Sequence, residues 1–139
     1  MSFALFLCTG NSCRSQMAEA WARSLFPHKW TVFSAGIEKH GLNPHMLTVM
    51  AEVDMDMSKH FSKTIDELPN DIRWDLVVTV CDHAATACPF YPAKERIHLP
   101  FDDPPALAKG LPEAEALNIY RRVREEIRTG IEQLAQYIQ

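Results

Sequence analysis

The sequence predicts one α/β domain, residues 1–139, in which helices flank a four-stranded parallel sheet. Three observations favour this fold class. Short apolar runs of strand length alternate along the chain with longer segments of helical periodicity. The run at 3–7 is apolar throughout, which is typical of a strand buried on both faces of a sheet. No repeat, linker or low-complexity tract interrupts the 139 residues, and a chain of this length can bury one stable core.

The first strand and the helix after it are predicted from periodicity. The strand over 3–7 ends at a loop, and residues 16–26 then carry apolar side chains at helical spacing. Ser15 stands where a helix N-cap is expected, and Pro27 ends the pattern.

The next three elements follow from composition and from turn signals. Aromatic and β-branched residues predict a second strand over 30–34. Asn43 is a good N-cap and Pro44 a good first helical residue, so the two together predict the start of a second helix. In the polar segment that follows, Ser62 or Thr64 is expected to cap a short helix.

The second half of the chain predicts two more strands and a long helix. Residues 76–80 form the clearest strand, and 96–99 form a weaker one. Consecutive prolines predict an extended loop over 101–105. Residues 113–137 predict an amphipathic helix whose apolar stripe contains Leu117, Tyr120, Val123, Ile127, Ile131, Leu134 and Ile138.

Charge and cysteine content exclude several classes of function. Asp and Glu outnumber Lys and Arg by 18 to 14, and the net charge of −4 argues against a nucleic-acid partner. No apolar stretch is long enough to cross a membrane, and the opening apolar run is too short for a signal peptide and lacks a basic leader, so we expect none. We therefore expect a cytoplasmic protein, with no membrane partner, whose four cysteines are reduced. No interface stripe stands out, so we expect a monomer.

The segment between the first strand and the first helix carries the most chemical information. Cys8 and Arg14 lie six positions apart, and Ser15 follows them. The residues between the two are small and mostly polar: Thr9, Gly10, Asn11, Ser12 and Cys13. Backbone N–H groups of such a loop can converge on an anion, and the helix N-terminus adds partial positive charge. We therefore expect an oxyanion loop in which Cys8 is a nucleophilic thiolate and Arg14 holds two oxygens of the substrate.

A plain turn with a buried cysteine would give a similar segment, but its position between a strand and a helix favours the site.

Cys81 and Cys88 form a second pair at the end of the third predicted strand. Two helical turns would separate them by about 10 Å. A disulfide allows roughly 7 Å between Cα atoms, so closing one requires this segment to bend or unwind. Core cysteines, or a metal site with His83, remain alternatives.

A carboxylic acid near the oxyanion loop would complete the chemistry. Attack by a thiolate on an oxyanion needs a group that protonates the departing oxygen, and Asp103 before two prolines is the candidate. Its neighbour Asp102 should point the other way, so that only one of the two faces the site. A plain turn or a helix-entry device remains the alternative for this segment.

Five motifs resemble those of the arsenate reductases in the low-molecular-weight tyrosine phosphatase superfamily, specifically the thioredoxin-coupled branch with three redox cysteines. They are CTGNSCRSQMAE at 8–19, SAGI at 34–37, VTVC at 78–81, CP at 88–89 and FDDP at 101–104. The resemblance covers essentially the whole chain. The oxyanion loop alone would reach only the superfamily, whereas Cys81 and Cys88 point to reduction rather than hydrolysis.

The resemblance implies that arsenate is the substrate, as in arsenic detoxification. Cys8 would attack the arsenic while Arg14 and the loop N–H groups hold its oxygens, and Asp103 would protonate the leaving hydroxyl. Cys81 would then attack Cys8 and expel arsenite, after which Cys88 would attack Cys81. External thioredoxin would reduce the resulting Cys81–Cys88 disulfide, with glutaredoxin and glutathione as the alternative donors, and no bound cofactor is implied.

The family pattern also assigns Asn11 the ordering of the loop and Ser15 a hydrogen bond to the thiolate, with no redox role for Cys13. Some relatives bind a potassium ion beside the loop through an acid after a His-x-Ser unit and through residues that match Asn11, Glu19 and Ser34. Here Lys63 stands in the position of that acid, so we expect no metal and an ammonium group in the cation's place. Pro105 replaces the tyrosine that is usual in the phosphatases, which argues against a phosphotyrosine substrate.

Two other functions remain open at this stage. A low-molecular-weight phosphatase would use Cys8, Arg14 and Asp103 but would not need Cys81 and Cys88. A metalloid sensor would capture arsenite with three thiolates, those of Cys8, Cys81 and Cys88.

Overall fold

The sheet occupies the centre of the structure, a computed structural model that describes residues 1–81 and 91–139. All four strands are parallel and follow the order β2–β1–β3–β4. Their bounds are Ser2–Cys8 for β1, Trp30–Gly36 for β2, Leu76–Thr79 for β3 and Glu95–His98 for β4. The predicted α/β class and the four-stranded parallel sheet are confirmed.

Helices of very different length lie between the strands and after the last one. They are α1 (Arg14–Leu25), α2 (Pro44–Ala51), a 3-10 helix (Ile65–Glu67), α3 (Pro104–Ala108) and α4 (Glu113–Tyr137). The predicted cap of α2 is confirmed, since the Asn43 side chain accepts a hydrogen bond from Met46 N at 3.1 Å. Thr64, and not Ser62, precedes the 3-10 helix. In the part of the chain that the structure describes, no helix is long and apolar enough to cross a membrane.

The core is built around β1, whose side chains alternate between the two faces of the sheet. Ala4 and Phe6 are fully buried in the cluster formed with α1, α2 and α4. Leu5 and Leu7 are fully buried on the other face, where they pack in a cluster with Trp74. Burial on both faces explains why the run at 3–7 contains no polar residue.

Two predictions at helix entries are wrong. Cys13, and not Ser15, occupies the N-cap position of α1. Ser15 lies inside the first turn, because its hydroxyl contacts the Cys8 sulfur at 2.9 Å instead of capping the helix. The extended loop expected over 101–105 ends early, since α3 begins at Pro104. A proline needs no N–H partner in a first helical turn, so the two prolines open this helix.

Of the second cysteine pair, the structure describes Cys81 alone. Cys88 and His83 lie outside the described residues. Cys81, the last residue before that segment, is buried and lies two residues beyond the end of β3.

Truncation of Ile127 tests the assignment of the main core. Ile127 is fully buried in the helical cluster, so we expect Ile127→Ala to lower the free energy of unfolding by about 2–5 kcal/mol. Urea denaturation would measure this loss. The exposed Gln133→Ala on the same helix should change stability by less than about 0.5 kcal/mol, and equal losses for both variants would contradict the assignment.

Candidate active site

The oxyanion loop connects the end of β1 to the start of α1, at the carboxyl edge of the sheet. Cys8 is the last residue of β1, and Arg14 is the first residue of α1. The end of β2 passes directly under the loop, where Gly36 is required: a Cβ atom there would lie 2.7 Å from Thr9 O and 2.8 Å from Asn11 N. Because β1 and β2 are paired up to Cys8 and Gly36, the end of β2 packs directly against the backbone of the loop.

Asn11 holds the oxyanion loop in shape. Its backbone is in the left-handed region, with φ of 47°, and the residue is fully buried. The side-chain nitrogen donates to Ser15 Oγ at 2.8 Å and to Ser34 Oγ at 3.0 Å. The side-chain oxygen accepts from Gln16 Nε2 and from Lys63 N, both at 2.9 Å. One amide thus joins the loop to α1, to β2 and to the segment before the 3-10 helix.

A hydrogen-bond chain reaches the sulfur of Cys8. Ser15 Oγ lies 2.9 Å from Cys8 Sγ, and a thiolate there can only accept, so the hydroxyl would donate to it. Ser34, the other serine held by Asn11, donates a hydrogen bond to the buried carboxylate of Glu19. Each serine is therefore fixed by a bond on both sides, which fixes the donor beside the sulfur.

The structure brings Arg14 and Asp103 together over the loop. Arg14 Nη2 lies 3.6 Å from Asp103 Oδ1, and Nη1 donates to Phe101 O at 3.1 Å. The arginine side chain is buried, whereas the aspartate remains one-third exposed. Asp102 turns away and pairs with Arg122 at 3.2 Å. Only one of the two neighbouring carboxylates faces the site, as the sequence predicts.

These groups line a cavity of about 480 Å³. Its wall contains residues of the oxyanion loop and of two later segments: Cys8, Thr9, Gly10, Ser12, Cys13, Arg14, His40, Asn43, Asp103 and Pro105. The sequence analysis did not place His40 or Asn43 in the site. Both follow β2, whose carboxyl end borders the same edge of the sheet, and that position was the signal available for finding them.

The three described cysteines differ in their surroundings. Burial, together with the neighbouring Cys8, raises the pKa of the Cys13 thiol well above its usual range, so Cys13 remains protonated. Cys81 lies beyond the end of β3, the strand beside β1, and the register pairs Leu7 with Thr79. Cys8 and Cys81 therefore follow paired positions of adjacent strands and lie at the same edge of the sheet.

Lys63 is buried beside this network. Its ammonium lies 4.0 Å from Glu19 Oε1, donates to Phe61 O at 3.2 Å and packs over the Phe61 ring. Burial lowers the pKa of Lys63, and the Glu19 carboxylate opposes that shift in part. The same carboxylate pairs with Arg23 at 2.7 Å. Glu19 thus already has two cationic partners from this chain.

Comparisons with known proteins agree with this geometry. The family model described as low molecular weight phosphotyrosine protein phosphatase matches residues 4–139. The arsenate reductase of Halalkalibacterium halodurans is 51% identical over 132 residues, which cover 94% of this chain and 93% of that protein. A solved structure of an arsenate reductase in the phosphate binding state superposes with a TM-score of 0.80 at 29% identity, covering both chains fully. A thioredoxin-dependent arsenate reductase of Corynebacterium glutamicum superposes with a TM-score of 0.71 at 25% identity, covering all of this chain and 62% of that one.

Removal of the Ser15 hydroxyl tests the donor beside the nucleophile. We expect Ser15→Ala to slow alkylation of Cys8 by iodoacetamide at neutral pH roughly three- to tenfold, because the thiolate loses a hydrogen bond. Mass spectrometry of peptides containing Cys8 would measure the rate. Ser24→Ala, an exposed position on the same helix, is the matched control. An unchanged rate in Ser15→Ala would show that the contact does not activate the sulfur.

Proposed function

The chain belongs to the low molecular weight phosphotyrosine protein phosphatase family, and within it we propose that the protein reduces arsenate to arsenite. The observation that carries this proposal is the position of Cys81. A hydrolase needs only the cysteine of the oxyanion loop, whereas here a second cysteine follows the adjacent strand at the same edge of the sheet. Two neighbouring thiols can supply the two electrons that arsenate reduction requires.

The first step forms a bond between Cys8 and arsenic. The Cys8 thiolate attacks arsenic(V), and one oxygen leaves as water after Asp103 has donated its proton. Arg14 and the backbone N–H groups of the loop hold the remaining oxygens, which carry the negative charge. The 3.6 Å separation of Arg14 and Asp103 places the acid beside the group that binds the oxygens.

The second step transfers the electrons. The Cys81 thiolate attacks Cys8 Sγ, and the electron pair of the sulfur–arsenic bond passes to arsenic, which leaves as arsenite. The product is a Cys8–Cys81 disulfide. Cys88 then attacks Cys81, so that Cys8 departs as a thiolate and a Cys81–Cys88 disulfide remains. Thioredoxin reduces this disulfide; the similarity to the Corynebacterium glutamicum enzyme supports that choice of donor.

Serine replacements separate reduction from hydrolysis. Cys81→Ser and Cys88→Ser should each reduce steady-state arsenate turnover with thioredoxin by more than about a hundredfold, because either change breaks the relay. The measurement follows NADPH consumption with thioredoxin and thioredoxin reductase. Hydrolysis of a small aryl phosphate is the internal control, since it needs the oxyanion loop and Asp103 but neither Cys81 nor Cys88, and it should change less than about threefold. Arsenate turnover that survives in Cys81→Ser would contradict the relay.

Exchange of the electron donor tests the thioredoxin coupling alone. We expect NADPH consumption with arsenate to proceed with thioredoxin and to fall at least about tenfold when glutathione and glutaredoxin replace it. Equal rates with both systems would contradict the coupling while leaving arsenate reduction intact.

The potassium site of some relatives does not fit this chain. Lys63 places a buried ammonium 4.0 Å from Glu19, where a further cation would meet electrostatic repulsion. We expect activity to change less than about 1.5-fold when potassium replaces sodium at constant ionic strength. Lys63→Asp removes the ammonium and adds a carboxylate, so this variant should respond to potassium several-fold, whereas the exposed Lys59→Asp should not. Several-fold stimulation of the unaltered protein would overturn this account.

A further inference from the structure

The segment after β2 is attached to the oxyanion loop by its backbone. Glu38 N donates to Thr9 O at 3.0 Å, and His40 N donates to Gly10 O at 3.1 Å. Ser62 Oγ also donates to Gly10 O, at 3.2 Å. Two successive carbonyls of the loop therefore fix the position of His40 relative to Cys8.

The imidazole of His40 lies directly over Gly10. A Cβ atom at Gly10 would be 2.5 Å from His40 Nδ1 and 3.1 Å from two carbons of the ring. The backbone of Gly10 is outside the left-handed region, so its conformation does not require glycine. The missing side chain instead makes room for the histidine ring, which forms part of the cavity wall.

A carboxylate orients this ring. His40 Nε2 lies 2.7 Å from Glu38 Oε2, and both side chains are more than half exposed. When Nε2 donates to Glu38, a neutral imidazole has only an acceptor at Nδ1, whereas an imidazolium has a second donor there. Only the charged ring can therefore satisfy Glu38 and an anion at the same time.

The groups around the cavity favour a second positively charged side chain beside Arg14. Among the described residues that line it, Arg14 and His40 are the basic side chains. Arg14 Nη1 already donates to Phe101 O, and Nη2 lies 3.6 Å from Asp103 Oδ1. An incoming oxyanion therefore meets a guanidinium whose N–H groups are partly engaged by other groups of the protein.

We propose that His40, whose ring Glu38 orients, binds the tetrahedral oxyanion at the wall of the cavity and sets its affinity. It acts on substrate binding and not on the sulfur–arsenic chemistry. The inference rests on the proposed function for the identity of the anion as arsenate, but its electrostatics apply to phosphate as well. Glu38 contacts the ring, and the other charged or titratable groups that line the same cavity are Arg14, Asp103, Cys8 and Cys13.

Protection of Cys8 against alkylation tests this role without any turnover. The apparent Kd for phosphate, which binds without being reduced, is the concentration that halves the rate of Cys8 carboxamidomethylation, read by mass spectrometry. His40→Gln should raise this Kd roughly three- to tenfold, because a charged hydrogen bond is lost. His40→Lys should restore it to within about twofold. His28→Gln, an exposed histidine outside the cavity, is the matched control and should not change it.

Gly10→Ala gives an independent test of the geometry. The added methyl group should displace the His40 ring and raise the Kd for phosphate as His40→Gln does. Combining the two substitutions should then produce no further increase, since they remove the same contact. Fully additive effects would contradict the placement of the ring, and a His40→Gln variant with an unchanged Kd for phosphate would overturn the proposal.

Steady-state kinetics separate this proposal from the proposed function. In His40→Gln, KM for arsenate should rise while kcat stays within about twofold. A fall in kcat with unchanged KM would overturn the binding role. If the protein fails to turn over arsenate at all, the proposed function fails, and the protection measurements with phosphate still decide the role of His40.

Discussion

The left-handed conformation of Asn11 is the constraint on which the site depends. A non-glycine residue adopts this conformation at an energetic cost, and here four side-chain hydrogen bonds from a buried amide hold it in place. Those bonds reach α1, β2 and the segment at Lys63, so the loop cannot change shape without disturbing three elements. The N–H groups are therefore arranged before the substrate arrives, and no binding energy is spent in ordering them.

Ion pairs and hydrogen bonds compensate the several charged groups that this small domain buries at the carboxyl edge of the sheet. Glu19 is almost fully buried but has Arg23, Lys63 and the Ser34 hydroxyl around it. Buried charges are tolerated only when they are paired and hydrogen-bonded in this way. The same network continues through Asn11 to Ser15, so a hydrogen-bond chain links the buried charges of α1 to the sulfur of Cys8.

Local patterns in the sequence predicted the sheet, the long helix and the oxyanion loop, because periodicity and turn residues act over short distances. They failed at Ser15, where a tertiary contact with Cys8 replaces helix capping, and at Pro104, where two prolines begin a helix. The position of His40 and Asn43 after the second strand suggested the correct edge of the sheet, but their contacts with a loop some thirty residues earlier required the fold. The sequence shows that Lys63 replaces the acid of some relatives, but only the fold shows that its ammonium lies beside Glu19.

In the proposed mechanism, the adjacency of two parallel strands connects oxyanion binding to redox chemistry, because Cys8 ends β1 and Cys81 lies just beyond the end of the neighbouring β3. The central claim is that Cys8 is oxidised during each reduction of arsenate. A single-turnover experiment tests it most directly: fully reduced protein is mixed with excess arsenate under anaerobic conditions without any external reductant. The account predicts about one arsenite and two lost thiols per chain, with a Cys8–Cys81 disulfide trapped in Cys88→Ser. Arsenite formed without loss of thiols, or a trapped disulfide that lacks Cys8, would contradict it.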